Sequence, residues 1–280
     1  MSTLPVFYSA HHTSSSYGKY KARCALTREQ QIQFSDLGTG TTVPKHTGLF
    51  LKSNYSRGVV DLNRDKNDLP SLFHEFDFGR FVQHKVWKSG EEPTKEERKR
   101  IVETIYDPYH KSILTTIQKF KRPGVVVAWD NTASYESEYE YMRPFVLSNN
   151  GDRESGDAVN KKSVLTCDPR FLEEFAAELR LALKKQGLID EVHLNIYNPH
   201  ETNNECAYIA NHYNTFREGN NLDVSNVLHS FQFEYDTDVI ENTKTLKPHE
   251  GKREKLKAAF EEAMEKAYSN LLSWNVGVSL

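Results

Sequence analysis

Short apolar runs bounded by polar turns, and longer stretches with helical spacing, alternate along this chain. Residues 4–9 (LPVFYS) and 124–129 (GVVVAW) have the length and pattern of buried strands, and 48–51 (GLFL) reads as another short strand. Residues 58–60 form a smaller apolar core that runs straight into Asp61, Asn63 and Arg64. Val192, Leu194 and Ile196 alternate with His193 and Asn195, which predicts another strand. Within residues 228–235, Phe231, Phe233 and Tyr235 share one face while Ser230, Gln232 and Glu234 share the other. That alternation turns Glu234 toward water or substrate.

Helices are marked as clearly. Ile101, Ile105, Tyr109, Ile113 and Ile117 recur at helical spacing within residues 93–121, and Pro108 predicts a kink or break at Asp107. Asp168-Pro169 opens a helix whose apolar face is Leu172, Phe175, Ala176, Leu179 and Leu183, and Gly187 stops it. Thr27 caps a helical turn or two ending near Phe34. Leu256, Phe260, Ala263, Ala267 and Leu271 mark a C-terminal amphipathic helix. Residues 197–211 read as loop. Strands interleaved with helices predict a three-layer α/β fold in one domain, residues 1–280.

Composition narrows the class. At 38% hydrophobic and 27% charged, the chain suits a globular core in water rather than a membrane, and no apolar run reaches bilayer length. A formal net charge of -3 leaves no electrostatic footprint for nucleic acid. Lys95 to Arg100 are interleaved with Glu96 and Glu97 and read as a solvated helix face. Cys24, Cys167 and Cys206 are scattered, without metal or disulfide spacing, and no signal-peptide pattern opens the sequence, so a cytoplasmic protein is expected.

Polar groups gather where apolar runs end, the usual place for chemistry in α/β proteins. His11-His12 follow the first strand and Asp130-Asn131-Thr132 the central one. Arg57 and Arg64 are forked donors suited to a carboxylate. Each has an ordinary reading too: loop histidines, Asp36 in turn chemistry beside Gly38, a structural Arg–Asp pair. The irregular stretches 65–92 and 149–162 are placed to lie over such a site.

Taken together these motifs resemble the N-formylglutamate amidohydrolase family, over roughly residues 4–240. Ser9-Ala10-His11-His12-Thr13-Ser14 stands where the family has Ser-x-Pro-His-Ser-Gly, which implies His12 as a metal ligand. Ser35-Asp36-Leu37-Gly38-Thr39 corresponds to Thr-Asp-Trp-Gly-Thr and implies Asp36 as the acidic ligand. Residues 56–64 match Ser-Arg-Tyr-Val-Val-Asp-Leu-Asn-Arg almost in full, which implies Asn63 and Arg64 as holders of a substrate carboxylate. Tyr106-Asp107-Pro108-Tyr109-His110 is similar to Trp-Gln-Pro-Tyr-His. Residues 208–213 resemble Tyr-Ile-Thr-Arg-His-Tyr and put His212 among the substrate contacts. His229 to Glu234 resemble His-Ala-Val-Gln-Met-Glu, whose Glu implies Glu234 as general base.

The resemblance implies a mixed central sheet between helical layers, as in zinc carboxypeptidases and phosphorylase-hydrolase-like folds. It also implies one zinc ion, a small acidic acyl-amino-acid substrate and hydrolysis of its linear amide, with Arg57 as a donor to the oxyanion. Three departures weigh against this: Cys206-Ala207 stands for the family's paired glycines, Asn211 for the arginine of its Tyr-Ile-Thr-Arg-His-Tyr segment, and the third falls on the metal. Thr132 stands at the place of the family's third ligand histidine, with His11, Asp130 and His110 as possible substitutes. The gap admits a catalytically silent member that binds an acidic small molecule or a protein. It also admits a metal-free hydrolase using Thr132 or Ser134.

Overall fold

The architecture comes from a computed structural model, which describes residues 4–36, 38–44, 48–74, 85–132, 144–151, 164–195, 208–216, 220, 222–241 and 249–275. Its strands are β1 (Val6–Ala10), β2 (Leu49–Lys52), β3 (Gly124–Thr132), β4 (Phe145–Ser148), β5 (Val192–Leu194) and β6 (Leu228–Asp236). They form one six-stranded sheet in the order β2-β1-β3-β6-β4-β5. Strands β1, β2, β3 and β6 run parallel; β4 is antiparallel to β6 and parallel to β5. The sheet is therefore mixed, as expected.

Its helices are α1 (Arg28–Gln33), α2 (Thr39–Thr42), α3 (Leu69–Leu72), α4 (Lys95–Ile101) and α5 (Asp107–Ile117), then α6 (Pro169–Lys185), α7 (Tyr208–His212), α8 (Thr237–Ile240) and α9 (Glu250–Asn275). Alternate strand residues feed two cores, one on each face. Val125, Val127, Trp129, Phe231 and Phe233 pack with Phe171 and Phe175 of α6 and Phe260 of α9. Phe7, Val126 and Ala128 pack on the other face with Ile113 and Ile117 of α5 and Ile209 of α7. Each fully buried Phe or Trp contributes on the order of 2–3 kcal/mol of hydrophobic stabilisation. No helix among the described residues is long and apolar enough to cross a membrane.

Most predicted elements are present, and three differ for physical reasons. Residues 58–60 are a turn, not a strand core: Val59 N–H donates to Ser56 O at 2.9 Å, and the apolar run is buried by packing rather than by pairing. Gly58 has no room for a side chain there, since a Cβ would meet the Tyr17 hydroxyl. The break at Pro108 is a π turn over Val102–Tyr106, in which Asp107 N–H reaches back to Val102 O. Widening the helix one turn early relieves the clash and the lost donor that proline imposes. Residues 208–211, expected as loop, begin α7, whose Ile209 N–H is held by the Asn63 side chain at 2.9 Å.

Alternation in β6 is as predicted, but the polar face is covered as well. Ser230 and Gln232 are buried and Glu234 is half-buried, because β6 lies between β3 and β4 under α7. Ala133, Ser134, most of residues 149–162, and Ile196 and Cys206 lie outside the described residues.

Candidate active site

The carboxyl ends of β1 and β3 bring His11, His12 and Asp130 together, all buried. His11 Nδ1 donates to Ser9 O at 3.1 Å, and its Nε2 lies 2.9 Å from Asp130 Oδ2. His12 Nε2 donates to Asp61 Oδ1 at 2.7 Å, and its Nδ1 faces Asp36 Oδ2 at 3.0 Å and Asp130 Oδ1 at 3.2 Å. A neutral imidazole that donates from one nitrogen presents a lone pair at the other. Both histidines thus aim lone pairs at carboxylate oxygens, acceptor against acceptor, and apart from His12 Nδ1 at 3.2 Å, Asp130 Oδ1 has no partner among the described residues. A cation resolves that arrangement. Ligand atoms around a four-coordinate zinc are spaced ~3.3 Å apart, close to the separations seen here. His11, His12 and Asp130 form a group that can hold a metal ion, with Asp36 beside it.

Without a metal, a proton takes the cation's place. Burial and the Arg57 cation both oppose a charge on His12, yet Asp61, Asp130 and Asp36 outweigh them and raise its pKa well above the ordinary range. For Asp130, burial is overcome by His11 and His12, which hold its carboxyl well below the usual carboxylate range. Asp36 goes the other way: burial pushes it up more than His12 and Arg57 pull it down. Metal binding must displace the His12 proton, so affinity should rise with pH until the raised His12 pKa is passed. A calorimetric zinc titration in buffers of different ionisation enthalpy checks this, through proton release on binding that fades at higher pH.

Arg57 is engaged with the cluster's own carboxylates. Its two terminal nitrogens lie 3.3 Å from Asp36 and 3.4 Å from Asp61, and its guanidinium stacks over Phe34. It positions the two carboxylates. Asp61 is the hub of this arrangement, taking Arg57, His12 Nε2 and the Asn63 backbone N–H, with His74 Nε2 at 3.4 Å. Neither Asp61 nor His74 was singled out as a site residue. Asp61 was nonetheless legible, because a carboxylate set among Val59, Val60 and Leu62 must be buried and therefore paired. The structural Arg–Asp pair foreseen for this stretch is present.

Asn63 is buried, and its side-chain oxygen accepts the Ile209 N–H, which fixes the amide and leaves its nitrogen as the donor side. Arg64 is partly exposed, 4.0 Å from Asp61, and remains available to an anion. His212 stacks on Tyr208 with ring centroids 5.0 Å apart. His110 is not drawn into the cluster: its ring bonds Leu62 O and the Tyr213 hydroxyl. Glu234 is the register partner of Asp130 and so shares its face of the sheet, with Oε1 bonded by Gln232 Nε2. Thr132 ends β3, and its side chain lies outside the described residues.

Beside the cluster lies a cleft of about 870 Å³ lined by Thr13, Ser14, Gly38 and three cations, Lys21, Arg28 and Lys52. Its near wall depends on Gly38, at φ 82, against which the Arg253–Glu241 ion pair packs so closely that a Cβ would meet both side chains. Asp36 adopts φ 43 two residues earlier. Gly38→Ala should destabilise the fold by ~1–3 kcal/mol, through strain at positive φ and overpacking, and should loosen Asp36. Chemical denaturation of the two proteins measures it.

The family model for N-formylglutamate amidohydrolase matches residues 4–239. The chain belongs to the N-formylglutamate amidohydrolase family. Within curated sequences, it is 33% identical to an N-formylglutamate deformylase of Pseudomonas aeruginosa over 86 residues, 29% of this chain and 32% of that one. A deformylase of Pseudomonas putida is 34% identical over 84 residues, 28% of this chain and 31% of the relative. The match thus spans about a third of the length of either relative. An N-formylglutamate amidohydrolase from Ralstonia eutropha has the same fold, with a TM-score of 0.63 at 15% identity over 97% of this chain and 95% of that chain. A gene product of Agrobacterium tumefaciens does too, at TM-score 0.62 and 16% identity, covering 96% and 92%. Membership of the N-formylglutamate amidohydrolase family accounts for the distributed motifs and the mixed sheet.

Proposed function

We propose that this protein hydrolyses the amide bond of an N-formyl or other N-acyl amino acid, with N-formylglutamate as the reference substrate. Water adds to the acyl carbon, the C–N bond breaks, and a short carboxylate and a free amino acid leave. One observation supports this most: in a chain of this family, His11, His12 and Asp130 converge, with ligand atoms of each within 4.8 Å of one another and lone pairs facing carboxylate oxygens. The donor set of two imidazoles and carboxylates suits zinc. On this reading His11, from the end of β1, fills the role left open by Thr132.

Bound there, zinc would supply a Lewis acid that acidifies water and polarises the acyl oxygen. The chain's own residues do the rest. Asp61 fixes the His12 ring through Nε2, as a carboxylate behind a metal-ligating histidine does. Arg57 holds Asp36 and Asp61 in place. Glu234, steadied by Gln232, takes the proton of the attacking water and delivers it to the leaving nitrogen. Arg64 meets the substrate's carboxylate, and Lys21, Arg28 and Lys52 draw acidic substrates toward the cleft.

The test is metal analysis of protein purified without added metal, paired with a formate-release assay on N-formylglutamate. About one divalent ion per chain and measurable hydrolysis are expected, with both lost in His12→Ala. Glu234→Gln should keep the metal and lower kcat by ~10²–10⁴-fold. No metal and no formate release would leave the binding role, for an acidic small molecule or a protein, as the better reading.

A further inference from the structure

A second cavity lies at the opposite end of the sheet. It measures about 290 Å³ and sits between the start of α6, the end of α9 and the segment leading into β6. His229 lines it and is paired in register with Val125, whereas Glu234 is paired with Asp130. The five-residue offset along β3 places the cavity ~16 Å from the metal cluster. It is a separate site.

The imidazole of His229 is buried, and its chemistry is fixed by its neighbours. Nδ1 accepts the backbone N–H of Asp168 at 3.3 Å, so the proton of the neutral ring is on Nε2. Burial, only partly opposed by Asp168, lowers the His229 pKa to about 4, which keeps the ring neutral at physiological pH. Nε2 is buried, closed off from the cavity as it stands, with no hydrogen-bond partner among the described residues. A buried donor left unmatched is costly, and in a native fold it calls for an explanation.

The surroundings suggest what matches it. Phe216 lies with its ring centroid 4.8 Å from the imidazole, and Trp274, Leu271 and Val227 complete an apolar wall. Phe216 and Val227, both exposed, stand at the cavity's mouth. The rim cation, Arg170, is closed in a two-pronged contact with Asp168 at 3.2 and 2.8 Å and stacks over Trp274. Charge at the rim is thereby cancelled. An anion placed against the neutral His229 donor would be desolvated without compensation.

We infer that this cavity is a binding site for a small, flat, uncharged aromatic molecule that presents one hydrogen-bond acceptor to His229 Nε2. The ring lies against Trp274, and Phe216, 4.8 Å from the imidazole, swings aside to open the buried Nε2 to it.

Quinoline is a fitting probe, being flat, neutral at pH 7.5 and equipped with one ring acceptor; naphthalene has the same shape without the acceptor. In titrations of the full chain followed by NMR, quinoline should shift the His229 ring signals and saturate with a dissociation constant in the millimolar range or below, as fits about ten heavy atoms. His229→Phe preserves a buried ring and removes the donor. It should weaken quinoline about tenfold, the worth of one buried hydrogen bond, and leave naphthalene unchanged. Trp274→Ala should weaken both ligands, and a thermal unfolding curve confirms that each variant folds. A His229 signal that quinoline does not move, or equal quinoline affinity in wild type and His229→Phe, would overturn the assignment. Benzoate binding more tightly than quinoline would also overturn it, because the site would then recognise an anion.

Discussion

Replacing Asp61 by Asn is expected to cost ~3–5 kcal/mol of stability, the loss seen when one member of a buried charge cluster is removed. Asp61 is fully buried and receives His12 Nε2 at 2.7 Å, the Asn63 backbone N–H at 2.9 Å and an Arg57 nitrogen at 3.4 Å. Burial opposes its ionisation, but His12, Arg57 and Arg64 overcome this and hold it well below the usual carboxylate range. An asparagine amide is nearly the same size, so packing survives while the countercharge to Arg57 disappears. The same substitution removes the carboxylate that orients His12, and metal affinity should fall ~10–100-fold. Urea unfolding of the metal-free protein and a zinc titration of the folded variant read the two effects separately. A variant within ~1 kcal/mol of wild type that binds zinc equally well would show Asp61 to be no hub at all.

Acid is the second large lever. His74 and His110 are depressed by burial to about 3, and His229 by burial to about 4, so all three are neutral in the fold. Unfolded, each titrates near the ordinary 6.5. Below that value the unfolded chain binds more protons than the native one, and stability falls as pH falls, by ~1.4 kcal/mol per pH unit for each histidine. Asp36, raised by burial, works in the opposite sense and offsets part of that loss. Asp61 and Asp130, both depressed despite burial, contribute stability that is lost only at lower pH, as the folded forms protonate. The raised His12 contributes fully below 6.5 and loses its contribution as pH climbs through its folded pKa. The net expectation is a loss of ~5 kcal/mol between pH 6.5 and 4.5, a large share of a typical domain's stability. Urea midpoints measured across that range test it, and a flat profile would mean that the buried histidines are solvated.

Sequence pattern determined the scaffold. Runs such as Gly124 to Trp129, the Asp168-Pro169 cap and the spacing of Leu256, Phe260 and Ala263 encode local geometry that packing then confirms. Such features depend on neighbours within a turn or a strand, which is why they can be read from one chain. Motif likeness likewise placed His12, Asp36 and Glu234 in one region of the molecule. What only the tertiary structure decided is how the polar groups divide the work. Arg57 reads as a free ligand in sequence, yet two of its nitrogens face Asp36 and Asp61, and the Asn63 amide is oriented by Ile209, 146 residues away. Asp130 lies 119 residues from His11, and nothing local says that their side chains meet at 2.9 Å. Buried charges are settled by who stands opposite them, and that information is carried by the fold rather than by any one stretch of sequence.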